Sequence, residues 1–234
     1  KGKTGLTRFM NAVGYLISGF ASAYFPAATI GSLSVERGPG NASNLGQATF
    51  GGSLNMFSPE LSEASRTAPY AAFGSWNTRL LGARFDSGNV KDYGDARLGL
   101  NFQTMDSDGY RTWSGVSGQN FMLKYQKPVG SSTLLTVFLN YNQNYYYQPD
   151  SDKGLTAAQA ATFGKNYVLG NDPSLPTYYQ YNRADKNTAF NYVGLQSELG
   201  GWNIDDKFYY YNYTNNTLAT NTANDPTSVD RKST

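Results

Sequence analysis

Gly94-Asp95-Ala96-Arg97-Leu98-Gly99-Leu100-Asn101-Phe102-Gln103-Thr104-Met105 is the stretch that decides the fold. Read as an extended chain, it puts Ala96, Leu98, Leu100 and Phe102 on one face. Asp95, Arg97, Asn101 and Gln103 fall on the other. Successive side chains of a strand point to opposite faces, so a period of two marks a strand with one apolar and one polar side. The same pattern stands on either side of it. Leu81, Ala83 and Phe85 oppose Arg84 and Asp86, while Phe121, Leu123 and Tyr125 oppose Asn120, Lys124 and Gln126.

Working outward, seven such segments are predicted: 70–75, 78–86, 94–105, 119–127, 132–147, 187–199 and 202–213. Tight turns at Ser87-Gly88-Asn89, Pro128-Val129-Gly130 and Gly200-Gly201 alternate with the long connections 106–118 and 148–186. Short turns at one end and long loops at the other are the layout of an outer-membrane barrel. Alternation alone also fits a soluble sandwich, whose apolar face turns to a core. Strand length favours the barrel, because a spanning strand needs about 9–11 residues and soluble strands centre near 5–6. The expected fold is therefore all-β: an antiparallel up-and-down transmembrane β-barrel segment of about seven strands. Seven is fewer than the 8 of the smallest closed bacterial barrel. An open sheet is expected, with free edges at its first and seventh strands, as in a fragment of something longer.

Two strands break the pattern. Leu134 and Phe138 fall on the polar side of the fifth, and Tyr209, Tyr211 and Tyr213 oppose Phe208 and Tyr210 in the seventh. Ends standing above the bilayer, or in its aromatic girdle, would account for both. Inside the second long loop, 155–161 is helix-prone with Gly164 as its stop, and 171–176 reads as irregular coil.

Composition narrows the chemistry. The chain of 234 residues has no Cys and no His. A thiolate nucleophile, the usual zinc sites, a Ser-His-Asp triad and disulfides are all excluded, and no catalytic residues are assigned. Charged residues make up 15%, against roughly 25% in a soluble domain. Aromatics also make up 15%, 19 of them Tyr. A net charge of +2 gives no nucleic-acid footprint. No segment is long and apolar enough for a membrane-spanning helix.

Residues before the strands read differently, rich in small residues and punctuated by Gly, with an organisational boundary near 58–69. Leu33-Ser34-Val35-Glu36-Arg37-Gly38-Pro39-Gly40 is followed by Leu45-Gly46 and by Phe50-Gly51-Gly52-Ser53-Leu54-Asn55-Met56. The glycines permit close backbone approach, and Pro39 stiffens the turn after an expected strand over 30–35. The composite resembles the end of the plug domain of TonB-dependent outer-membrane receptors. That family carries Ile-Glu-Val-x-Arg-Gly-Pro, a Tyr-Gly step and Gly-Gly-x-Ile-Asn-Ile just before its barrel. Arg37-Gly38-Pro39, Gly46, Gly51-Gly52 and Asn55 match at corresponding spacing. The tract 106–111, Asp-Ser-Asp-Gly-Tyr-Arg, also resembles the family's early barrel. Ser34, Glu36 and Leu45 depart from its pattern. Residues 1–24 match nothing in it.

The resemblance implies 1–60 as the C-terminal part of a plug and 69–234 as the first part of a barrel. It implies an outer-membrane receptor for energy-coupled uptake of a siderophore or other large solute. Its partners are then outer-membrane lipid and, through a part outside this chain, the TonB energy-coupling protein. It further implies that Arg37, with Glu36 beside it, latches the plug to carboxylates on the wall. The plug 30–58 would lie against the polar face, with Gly38, Pro39, Gly46, Gly51 and Gly52 supplying its turns. The ordinary reading of Arg37 is a solvated charge.

Candidate ligand-binding residues are Arg111 and the aromatics Tyr145, Tyr147, Tyr178, Tyr179 and Tyr181, the last five able to stack on sugars, catechols or macrocycles. Packing within loops, or a membrane-interface girdle, is their ordinary alternative. Asp106/Asp108 and Asp150/Asp152 have too few acids for a calcium loop, and no metal or cofactor is assigned. The competing function is a secreted or surface all-β protein that binds carbohydrate. A membrane barrel exposes Leu98, Leu100, Phe102, Leu123 and Leu135, whereas a sandwich buries them.

Overall fold

The computed structural model describes residues 26–37, 52–147, 155–168, 170–220 and 229–233. A single 3-10 turn, Ala27–Thr29, leads into β1 (Ser32–Arg37), which pairs antiparallel with β2 (Gly52–Phe57) as a separate two-stranded sheet. Arg37 stands opposite Gly52 and Ser32 opposite Phe57. β1 thus begins two residues later than the sequence suggests.

The main sheet is an antiparallel meander in chain order. It comprises β3 (Arg66–Gly74), β4 (Thr78–Asp86), β5 (Arg97–Ser107), β6 (Val116–Val129), β7 (Thr133–Tyr147), β8 (Arg183–Leu199) and β9 (Trp202–Thr220), with a short β10 (Val229–Ser233) beside β9. Strand length grows from 9 residues in β3 and β4 to 17 in β8 and 19 in β9. Every one of these seven reaches the length needed to cross a bilayer. β3 does not pair with β9, so the sheet is open rather than a closed barrel. The seventh strand is not a bare edge, however, because β10 pairs with its end at 216–220.

Turn chemistry fixes the register. Trp76 and Asn77 both take positive φ (57° and 55°) in the β3–β4 hairpin, and Gly200 and Gly201 do so (57° and 84°) between β8 and β9. Two positive-φ residues match the twist of the flanking strands. The β4–β5 connection is longer than the tight turn read at Ser87-Gly88-Asn89. It holds a 3-10 turn, Lys91–Tyr93, and an isolated bridge between Val90 and Ala96. Asp95 takes φ 56° and Ala96 is buried in that bridge, so neither belongs to a strand face. β5 starts at Arg97 for this reason. β3, β6 and β8 begin earlier than read, because tertiary pairing carries the extended chain past its alternating core.

Residues directly opposite each other in the ladder share a face. One row runs Phe85, Leu100, Leu123, Leu139; a neighbouring row runs Arg84, Asn101, Met122, Asn140, Phe190, Tyr211. The two rows lie on opposite sides of the sheet. The apolar side is bare: Leu81 is 48% exposed, Phe102 50% and Phe208 87%. The polar side is shielded: Asn101, Asn120 and Asn140 are each 1% exposed and Thr188 is 0%. This is the reverse of a water-soluble fold, in which burying apolar area drives collapse.

The exceptions noted in the sequence resolve differently from expectation. Phe138 is not at a strand end. It is 5% exposed on the polar side, stacked on Tyr192 at 5.3 Å and edge-on to Phe190 at 6.3 Å. Tyr209, Tyr211 and Tyr213 continue the rows of Tyr192, Phe190 and Thr188, so they extend this aromatic patch on the polar face.

Candidate functional site

Two regions of the sheet carry concentrated polar chemistry, at opposite ends of the strands. At the end bearing the short turns, the chain enters the sheet through Pro59, Glu60, Leu61, Ser62 and Glu63. Asp86 at the end of β4 is fully buried. It accepts from Arg66 Nη2 at 3.0 Å, from Arg84 Nε and Nη2 at 3.0 and 2.9 Å, and from the Ser62 amide at 3.4 Å. Arg84 Nη2 also donates to the Glu60 carbonyl at 2.7 Å, and Lys124 Nζ to the Pro59 carbonyl at 3.0 Å. Leu61, 6% exposed, sits over Gly99, where a Cβ would collide with its methyl group. The lead-in is therefore strapped across the polar face of β4, β5 and β6 by side chains of the wall.

Arg37 takes no part in that strap. It is exposed at the end of β1 and makes no ion pair among the described residues. Glu36 stands opposite Ser53 in the hairpin. Gly38, Pro39, Gly46 and Gly51 lie outside the described residues, and Gly52 opens β2. The charges that do fasten chain to wall are Arg66, Arg84, Asp86 and Lys124. The strand positions of Arg84, Asp86 and Lys124 were legible; Arg66 fell in the expected boundary before the first strand, and the partner segment 59–63 has no motif to reveal it.

At the other end, the loop 108–115 between β5 and β6 meets the long connection between β7 and β8. The Thr112 amide and hydroxyl both donate to the Asn166 carbonyl, at 3.0 and 3.2 Å, and the Val168 amide donates to the Thr112 hydroxyl at 2.9 Å. Helix α1 (Ala157–Phe163) starts on a capping box in which Thr156 and Gln159 satisfy each other's backbone amides, and Gly164 ends it. It begins two residues later than the helix-prone tract, because Thr156 serves as the cap. Asp172 forms a local turn by accepting from the Ser174 hydroxyl at 2.6 Å and amide at 2.9 Å, and these bonds hold its carboxyl below the usual range.

These contacts gather most of the expected aromatics. Tyr179 stacks on Trp113 at 5.1 Å and meets Tyr147 edge-on at 5.0 Å. Tyr147 meets Tyr145 at 5.3 Å, and Tyr178 bridges Tyr179 and Tyr181 at 5.0 and 5.1 Å. Tyr181 is committed elsewhere, donating to the Pro173 carbonyl at 3.0 Å. Tyr145 pairs with Ser117 and Asp185 on the same side of the sheet as the apolar rows, so its ring lies on the outer face. Arg111, Tyr147 and Tyr179 line a cleft of about 520 Å³, together with Trp76, Tyr110, Trp113, Phe163 and Tyr167. Those last five were not among the expected residues. Their signal was available, since two of the chain's three Trp stand in or beside loops at this end. Asp106 and Asp108 gain no third carboxylate among the described residues. Asp150 and Asp152 lie outside them.

No family model matches the chain, and no curated protein is significantly similar to it.

Proposed function

We propose that the chain is part of an outer-membrane transport receptor of the TonB-dependent class, taking up a large, scarce solute. The observation that supports this most is the inverted sheet. Seven strands of spanning length present Leu81, Phe102, Phe121 and Val193 outward and hold Asn101, Asn120, Asn140 and Thr188 inward. Lipid accepts the first set, and a filled or hydrated interior accepts the second. From β5 to β8 the apolar band gives way to Thr104, Gln119, Gln143 and Asn187, a row that Leu81 begins on β4, next to the long loops. That is where a band meeting headgroups would end.

In this reading the interior is occupied by a plug that includes β1 and β2, strapped to the wall through residues 59–63. The solute binds at the loop end, and energy delivered from the inner membrane shifts the plug. Closure of the barrel needs strands beyond the seven that span. The soluble reading requires a second apolar layer over Leu81, Phe102 and Leu139. No strand among the described residues supplies one. Refolding tests the choice. In plain buffer the chain should aggregate, and in detergent micelles it should regain a β-sheet circular-dichroism spectrum. A monodisperse monomer folding cooperatively without detergent would overturn the membrane reading. Transport is tested by solute uptake with and without the energy-coupling protein; uptake that ignores its removal contradicts the TonB-dependent assignment.

A further inference from the structure

We infer that the cleft between the two long loops is a binding site for a neutral saccharide, an assignment that rests on the receptor reading and narrows its solute. Three observations converge there. The first is the nature of the surface. The cleft is about 520 Å³, within the range of ordinary ligand sites. Its rings pack on one another in pairs, Trp76 with Tyr110, Trp113 with Tyr179 and Phe163 with Tyr167. Trp76, Tyr110 and Phe163 nevertheless remain about half exposed.

The second is position. Girdle aromatics belong at the level where lipid ends. Tyr145 and Tyr147 stand just beyond the polar row of Gln143 and Asn187 and fit that level. Trp113, Phe163, Tyr167 and Tyr179 stand outside the strands, on the two loops and α1, with Tyr179 meeting Tyr147 at 5.0 Å.

The third is unspent hydrogen bonding. Trp113 Nε1 and Asn166 Oδ1 are buried without a partner, one a donor and one an acceptor, and both residues line the cleft. Buried groups left unsatisfied are costly, and native structures keep few of them. The Thr112–Asn166 bonds hold these two residues side by side. A sugar hydroxyl both donates and accepts, so one ligand group can satisfy the pair once the covering rings shift. Charge selects among ring-bearing ligands. The charged residues lining the cleft are Arg111 and Asp108, of opposite sign. A strongly anionic chelate such as a ferric catecholate would meet as much repulsion as attraction. The C–H face of a neutral pyranose stacks on aromatic rings without needing a counter-charge.

The test is calorimetric titration of the detergent-solubilised protein with neutral oligosaccharides (maltohexaose, xylohexaose and galactohexaose), with ferric tris-catecholate as the contrast. At least one saccharide should bind saturably and the catecholate should not. Trp113→Phe keeps an aromatic ring but removes the N–H and part of the stacking face, and should weaken binding about tenfold. Asn166→Ala should do the same. Trp202→Phe, in the hairpin at the opposite end of the strands, should change nothing. Each variant is accepted only if its circular-dichroism spectrum matches the parent. Saccharide binding indifferent to both cleft variants, catecholate binding in its place, or no saccharide binding at all would overturn the assignment. The receptor reading fails separately: a water-soluble monomer would sink it whatever the sugars do, and a detergent-dependent protein blind to sugars would leave it standing.

Discussion

The two sides of the sheet contain nearly the same backbone and opposite chemistry. On one side Asn101, Asn120 and Asn140 are sealed from solvent; on the other Phe102, Phe121 and Leu139 are left open. Burial of apolar area in water would drive the reverse arrangement. The polar side spends part of its hydrogen-bonding capacity on the protein itself, while Asn101 Nδ2, Asn120 Oδ1, Asn140 Nδ2 and the Thr188 hydroxyl are buried without a partner. Tyr70 crosses over Gly82, where there is no side chain to obstruct it, and donates to Asn101 at 3.1 Å. Asn120 donates to Asn140 at 3.0 Å and to the Tyr141 carbonyl at 3.1 Å.

The contrast can be broken most severely at the strap. Asp86→Ala leaves Arg84, largely buried, without its carboxylate, and breaking a buried pair costs about 3–5 kcal/mol. Urea titration of the protein in detergent should show that loss, and limited proteolysis should cut near residues 59–65. Arg66, which is half exposed, can return to water, so Arg66→Ala should cost much less. Equal losses from the two would mean that the buried Arg84–Asp86 pair is not the centre of the strap.

A charge on the bare side tests the opposite surface. Leu100→Arg should destabilise the protein in lipid vesicles by about 2–4 kcal/mol if this row lies near the bilayer midplane. The same protein in urea-containing buffer without lipid should show little preference between the two residues. A milder change sharpens the polar side. Thr188 is fully buried and its hydroxyl has no partner. Thr188→Val keeps the shape and removes an unsatisfied group, so it should be neutral or stabilising by up to about 1 kcal/mol. A marked loss would mean that the hydroxyl is bonded in the working protein.

The smallest effect expected is a local one with pH. The Asp172 carboxyl is held below its ordinary range by Ser174, so its contribution is present above the ordinary carboxylate pKa. It is lost as pH falls through the lowered value. Protection of the Ser174 amide against exchange should therefore be lost only in acid, and Asp172→Asn should remove the dependence without moving the strands.

What the sequence made legible was whatever period two controls. The faces of β4, β5 and β6 were readable residue by residue, since each alternates cleanly. Boundaries were not. Arg66 and Val116 extend their strands only because a neighbour is there to pair with them, and Asp95 leaves its strand only because the chain turns at positive φ. The tyrosines of the loop end were visible as a cluster. Their junction with Trp113 was not, because the Thr112–Asn166 bonds that create it join residues 54 apart. The strap was hidden for a similar reason. Pro59 and Glu60 are held through backbone carbonyls, which leave no trace in side-chain identity.

The central claim is that Leu98, Leu100 and Phe102 face lipid while Gly99, Asn101 and Gln103 face inward. The absence of any Cys makes the test clean, because a single introduced Cys carries the only label. Gly99 is left unchanged, since a Cβ there would meet Leu61; each of the other five positions is replaced in turn, labelled with a small fluorophore, and reconstituted in vesicles containing lipids brominated along the acyl chain. The account predicts quenching that alternates along the strand, strong at 98, 100 and 102 and weak at 101 and 103. Uniform weak quenching along the strand, or alternation in the opposite phase, would contradict it.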